Sequence, residues 1–314
     1  MNEIRALLDA FDAASVRGER CAMATVVGVQ GSAYRQPGAR MLVVESGATT
    51  GTISAGCLEA DVIEHARRVM QSGEQKIVDY DNRSASDELA WGLGLGCNGI
   101  VSVLIEPLTT TSAHLEALRR SREHEVTLEH ANGFVETLVP PVPLLIFGAG
   151  SDVLPVVELA QRIGWQTEVV DPQARRATAA RFPLAAKVTL ARPDDVAHRV
   201  AVTTRTMALV MSHNYVHDLT LLRFLLASPA RYIGVVGARH RAENLMQELN
   251  VHGSDLARLH APVGLDIGAS SPAEIALSIV AEMRAVLDGR TGGMLRDRDA
   301  AIPGTSRRDV EVAA

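Results

Sequence analysis

Two short stretches in the first third of the chain set a thiol beside glycine. Cys57 stands in "ISAGCLEAD" (53–61) and Cys97 in "WGLGLGCNGIVSV" (91–103). The amphipathic run "CLEADVIEHARRVMQSG", stopped by Gly73, predicts a helix with Cys57 in its first turn. There the dipole and the free N–H groups favour thiolate, lowering its pKa below about 8.5. Around Cys97, glycines leave the backbone uncovered and open to close approach by a ligand. The remaining cysteine, Cys21 in "GERCAMAT", precedes an apolar strand and reads as packing, the commoner fate of a free cysteine. No histidine carries a motif tying it to either thiol, which argues against a protease-type dyad. With Ser32, Arg35 and Arg40 of "GSAYRQPGAR" (31–40), the two thiol loops are expected to face one anion-receptive cleft.

A second constellation lies past the middle of the chain. "LLIFGAGSDVLP" (144–155) sets Gly148 and Gly150 between a strand and a helix, and Asp171 ends the next strand. In such a turn the first glycine permits the bend, and the second lets a pyrophosphate reach the backbone at the helix start. The acid about 20 residues on accepts from a ribose diol. Val153 stands at the third glycine position, and Asp152 would lie beside any phosphate and compete for the helix field. Two readings stay open: a nucleotide site, or the same turn with no dinucleotide. Further rim positions are His213, His217 and Asp218 in "MSHNYVHD", which lack a third metal ligand of obvious spacing if Asp218 is a first-turn acid serving the dipole. Arg239 and Arg241 follow the second glycine turn "GVVGARHR" and suit an anion or simply solvent. Gly264, Asp266 and Gly268 form a specialised loop before the last helix.

The elements that must position these residues fall into two sets. Residues 3–17 carry Ile4, Leu7, Leu8, Phe11 and Ala14 at helical spacing. β-rich runs at 22–29 and 39–46, the helix at 57–73, the strands "EQKIVDY" and "GIVSVLIEP" and a helical stretch near 112–123 complete the first set. Three prolines in "LVPPVP" (138–143) mark the boundary. Strands then alternate with helices as far as "SPAEIALSIVAEMRAVLDG", which predicts a doubly wound parallel sheet. The expected organisation is an α+β domain over 1–139, a Rossmann-like α/β domain over 140–290 and a loose polar tail over 291–314.

Composition narrows the class. A net charge of −6 over 314 residues argues against a nucleic-acid binder, which needs a basic face. Three scattered cysteines make no disulfide framework. The N-terminal stretch lacks the basic start and apolar core of a signal peptide, and no apolar run approaches the roughly 20 residues of a membrane span. The expectation is a soluble cytoplasmic protein that binds neither nucleic acid nor membrane.

Several segments together resemble the XdhC/CoxI family, accessory proteins that handle molybdenum cofactor for xanthine dehydrogenase-type hydroxylases. They are "GSAYRQPGARM", "GTISAGCLEADV" and "WGLGLGCNG" in the first half, and "LLIFGAGSDVLPVVELAQRIGWQTEVVD", "RYIGVVGARHR" and "VGLDIGASSPAEIALSIVAE" in the second. The resemblance covers most of residues 20–290 in family order. It implies an XdhC/CoxI-like cofactor-handling domain, then a Rossmann domain. It implies a chaperone that binds molybdopterin-type cofactor, in its simple or dinucleotide form, protects it during sulfuration and delivers it to the apoenzyme. It also implies a homodimer, with a cysteine desulfurase or cofactor-biosynthesis enzyme as further partner. Cys57, Glu59 and Cys97 carry over on their matching motifs, Glu59 as a polar contact or a helix cap. Three positions depart from the family pattern: Asn98 in "CNG" and Ala238 in "GAR" replace a glycine and a serine, and "SAGC" stands for the common "SGGC". Two alternatives run beside this reading, an NAD(P)-dependent oxidoreductase built on Gly148, Gly150 and Asp171, and a sulfur-transfer enzyme carrying persulfide on Cys57 or Cys97.

Overall fold

The computed structural model describes residues 2–31, 33–81 and 99–299, and the chain divides into two compact units at Pro140 and Pro141. In the first unit, helix α1 (Asn2–Val16) buries Ile4, Leu7, Leu8, Phe11 and Ala14 along one stripe. Five antiparallel strands follow: β1 (Cys21–Gly31), β2 (Arg40–Val44), β3 (Thr49–Gly51), β4 (Lys76–Asp81) and β5 (Gly99–Leu108), in the order β3-β2-β1-β5-β4. Strand β1 is buried on both faces because its alternate residues serve two cores. Cys21 and Met23 pack with α1, whereas Ala22, Ala24 and Val26 pack with Val62, Ala66 and Val69 of helix α2 (Glu59–Ser72). Helix α3 (Ala113–Arg120) and a hairpin of β6 (Val126–Glu129) and β7 (Val135–Leu138) extend the α1 side. The hairpin goes beyond the sequence reading; its strands are only four residues each. Burial pushes the Cys21 thiol up to about 11, in keeping with a packing role.

A buried polar cluster joins these pieces. Arg40, at the start of β2, is 6% exposed. It donates from Nη1 to the Gly38 carbonyl (2.8 Å), from Nη2 to Glu136, and from Nε to His114 Nε2 (3.1 Å). Because that Nε2 accepts, the His114 proton sits on Nδ1, 3.0 Å from Glu106 Oε2. His130 Nε2 lies 2.8 Å from Glu136 Oε1, and the two imidazoles meet edge to face. Burial works against the Glu136 carboxylate, but the His130 hydrogen bond and the Arg40 charge hold it below the usual range. Burial likewise pushes the His114 imidazole below its ordinary value, against the pull of Glu106.

The second unit contains β8 (Pro143–Phe147), α4 (Val153–Arg162), β9 (Gln166–Asp171), β10 (Lys187–Leu190), β11 (Met207–Val210) and α5 (Tyr215–Leu226). It continues with β12 (Tyr232–Val235), α6 (Arg239–Glu248), α7 (Ser254–Arg258), β13 (Leu259–His260) and α8 (Pro272–Leu287). All six strands are parallel, in the order β10-β9-β8-β11-β12-β13, the 3-2-1-4-5-6 order of a doubly wound Rossmann sheet. Helices α4 and α8 cover one face through Val153, Val156, Ala160, Ala276, Ile279 and Met283; α5 and α6 cover the other through Leu219, Leu222, Leu225 and Leu245. Helix α8 starts in a capping box, with the Ser271 hydroxyl accepting from Glu274 N and Pro272 in the first turn. The short strands β10 and β13 are additions to the sequence reading. The expected loose tail falls largely outside the described residues. No helix among the described residues is long and apolar enough to cross a membrane.

The buried cluster makes the first unit sensitive to acid. Unfolded His114 takes up a proton near pH ~6.5, whereas folded His114 resists it; below that pH the unfolded state therefore binds more protons and stability falls. Glu136 and Glu106, both depressed in the fold, extend the loss through the carboxylate range. We expect denaturant midpoints by circular dichroism to decline from about pH 6.5 downwards. Glu136→Gln should cost about 3–5 kcal/mol at neutral pH by leaving Arg40 buried with less compensation. A flat profile between neutrality and the carboxylate range would contradict the network.

Candidate functional site

Helix α2 begins at Glu59, so Cys57 lies two residues before it, not in its first turn. The cause is the carboxylate of Glu59, which folds back over the preceding loop. Glu59 Oε1 accepts from Thr52 Oγ1 (2.7 Å) and Ser54 N (3.0 Å); Oε2 accepts from the Ser54 hydroxyl and from Leu58 N (3.2 Å). Ser54 Oγ in turn accepts from Gly56 N and Leu58 N. Gly56, at φ +108°, makes the bend that a side chain would resist. Partial burial opposes the charge on Glu59, but the Ser54 and Thr52 hydrogen bonds hold its pKa below the usual range. Glu59 is therefore a brace, and Cys57, half-buried and packed against the α2-side core, is what the braced loop presents. Thr52 and Ser54 escaped the sequence reading; the signal available was their spacing from an acid at a helix start.

Of the other first-unit candidates, Arg35 is partly exposed and ion-paired to Glu3 at 2.9 Å. Arg40 is committed to the buried cluster, which leaves it no exposed face to offer an external anion; on this point the sequence expectation is corrected. Ser32 and Cys97 lie outside the described residues. Among the described residues one group of three side chains, Glu106, His114 and His130, brings potential metal-ligand atoms within 4.8 Å of one another. The tautomer decides against it as a cation site, because the His114 nitrogen facing Glu106 carries the proton and Arg40 stands behind the ring.

In the second unit a cavity of about 310 Å³ opens at the carboxyl ends of β8, β9 and β11, where open α/β sheets bind ligands. Gly148, Asp171, Gln173, Arg176, His213 and His217 are among its walls. Asp171 is 5% exposed; its two oxygens accept from Ala149 N (2.9 Å) and Gln173 N (2.8 Å), tying the glycine turn to the end of β9. Each oxygen keeps a further lone pair for a ligand hydroxyl. Gly148 has φ +126°, and a Cβ there would lie 2.3 Å from the Met211 carbonyl, so packing against the backbone just after β11 by itself demands glycine. His213 and His217 line the same cavity, but His213 Nε2 is taken by Asp152 Oδ2 at 2.7 Å.

Asp218 lies in the first turn of α5, as the sequence suggests, and also has a buried structural role. It is 1% exposed, accepts from the Ser212 hydroxyl and pairs with Arg241 at 2.7 Å, so Arg241 serves the fold. Arg239 opens α6 and is exposed, as is Asp266 in the loop before α8. The Asp152–His213 pairing was not anticipated, because the two residues stand 61 positions apart and each has an ordinary local role.

With this geometry in hand, known proteins place the chain. Residues 14–81 match the XdhC and CoxI family, and residues 144–283 match the XdhC Rossmann domain. A probable xanthine dehydrogenase subunit from Bacillus subtilis is 31% identical over 84% of this chain and 92% of its own length. The Escherichia coli molybdenum cofactor insertion chaperone PaoD is 23% identical over 93% and 90%. A crystal structure from Bacillus halodurans, described as a xanthine dehydrogenase, superposes with a TM-score of 0.80 at 30% identity, covering 91% of this chain and 97% of that one. The chain belongs to the XdhC and CoxI family.

Proposed function

We propose that this protein is a maturation factor that binds molybdenum cofactor, shelters it during sulfuration and passes it to a xanthine dehydrogenase-type hydroxylase. The observation that carries the reading is end-to-end similarity to a molybdenum cofactor insertion chaperone, spanning 93% of this chain. The molybdenum centre would supply its hydroxylation chemistry to the receiving enzyme. The residues here bind and protect. Cys57 fits that task chemically: cysteine sulfur is a metal ligand, and Cys57 is half-buried in the loop that Glu59 braces. Ser32, Arg35 and Cys97 are the accompanying candidates for the phosphate and sulfur end of the cofactor. The reading places the protein in the cytoplasm as a homodimer, with the hydroxylase apoenzyme and a cysteine desulfurase as partners.

The cavity of the second unit favours an additional ligand. Its place at the switch point of the sheet and the lone pairs of Asp171 suit a ribosyl group.

Co-expression with the cofactor pathway, followed by pterin fluorescence and metal analysis, tests the first reading. We expect pterin and molybdenum to copurify with the wild-type chain. Cys57→Ser should reduce retention by at least about tenfold, an apparent loss of ~1.4 kcal/mol. Glu59→Gln should weaken retention by about tenfold, as outer-shell changes do, while leaving the fold intact. Absence of pterin from the wild-type preparation, or full retention in both variants, would overturn it. For the second unit, Asp171→Asn should lower ribosyl-ligand affinity about tenfold by calorimetry.

A further inference from the structure

The glycine turn of the second unit differs from a diphosphate-binding turn in what fills it. In a dinucleotide site, the second glycine leaves room for the pyrophosphate to reach the backbone. Here a Cβ on Gly150 would lie 2.2 Å from Asp152 Oδ1, so the space is occupied by the protein's own carboxylate. The other oxygen of that carboxylate is fixed by His213 Nε2 at 2.7 Å. His213 holds a left-handed backbone, φ 55°, which non-glycine residues adopt sparingly, and its side chain forms part of the cavity wall. The pair thus links the cavity to the glycine turn. Any chain of phosphates leaving the ribose towards the start of α4 would meet a carboxylate there. The residue that caps α4 already occupies the favourable end of its dipole.

We infer that this cavity accepts a ribosyl group without a diphosphate, a nucleoside or nucleoside-like ligand, and that Asp152, held by His213, is the specificity determinant that turns diphosphates away. The inference rests on the reading of the cavity as a ribosyl site. Like-charge repulsion at a partly buried turn supplies the discrimination, and the steric fill of the Gly150 space adds to it.

Calorimetric titration of the full-length protein with adenosine, ADP and NAD⁺ separates the possibilities. The wild type should bind adenosine at least about tenfold more tightly than ADP or NAD⁺. Asp152→Ala, which clears both charge and bulk, should abolish most of that preference. Asp152→Asn keeps the shape and drops the charge, and should give an intermediate ratio; thermal melts confirm that both variants are folded. Equal or tighter binding of ADP by the wild type overturns the proposal, and so does a preference unchanged in both variants. Failure of all three probes to bind wild type and variants alike removes the ribosyl-site reading itself. Adenosine binding with an unaltered preference removes only the role of Asp152.

Discussion

Backbone N–H groups that leave regular structure must find acceptors, and at several loops of this protein carboxylates meet that demand. Glu59 takes the amides of Ser54 and Leu58, Asp171 those of Ala149 and Gln173, and Glu274 those of Ser270 and Ser271. Glu282, also hydrogen-bonded by Tyr232, accepts from Gly264. Each of these acids fixes an irregular loop at the edge of a helix or strand, where function is placed on a rigid frame. Amide-to-carboxylate bonds are charge-assisted and stronger than amide-to-carbonyl ones, so short loops rich in glycine and serine can hold one shape. The thiol of Cys57 and the walls of the second-unit cavity inherit their positions from this device.

Much of the architecture was legible because the apolar period changes cleanly along the chain. The stripe Ile4, Leu7, Leu8, Phe11 and Ala14 marks α1, and the alternation of apolar strands with glycine-stopped helices after Pro143 marks the Rossmann sheet. The strands β6, β7, β10 and β13 were not legible, being two to four residues long and stabilised by partners distant in sequence. The site was legible in its residue types and less so in its geometry. Cys57 was found by its motif, but its helix starts two residues later because Glu59 reaches backwards. Arg40 has the sequence surroundings of an anion contact, yet its partners Glu136 and His114 come from segments 96 and 74 residues away, which no local pattern reveals.

The buried Arg40 cluster shows how proton placement separates a metal site from a structural one. Two imidazoles and a carboxylate meet at ligand-like spacing. One arginine hydrogen bond then fixes the tautomer and turns the set into a charge-balanced brace between β2, β5, α3 and the hairpin. Such a brace contributes through the desolvation that breaking it would expose, more than through the attraction of its charges.

Gly148 and Gly150 have a consequence for how chains of this kind are classified. Gly148 is demanded from within by a neighbouring backbone carbonyl, and the space beside Gly150 is filled by the carboxylate two residues on. Packing alone accounts for the first of these glycines, whether or not a dinucleotide binds. Surveys that count this spacing as proof of redox cofactor use will therefore gather non-redox proteins into the wrong class, unless they also inspect what stands in the phosphate's place.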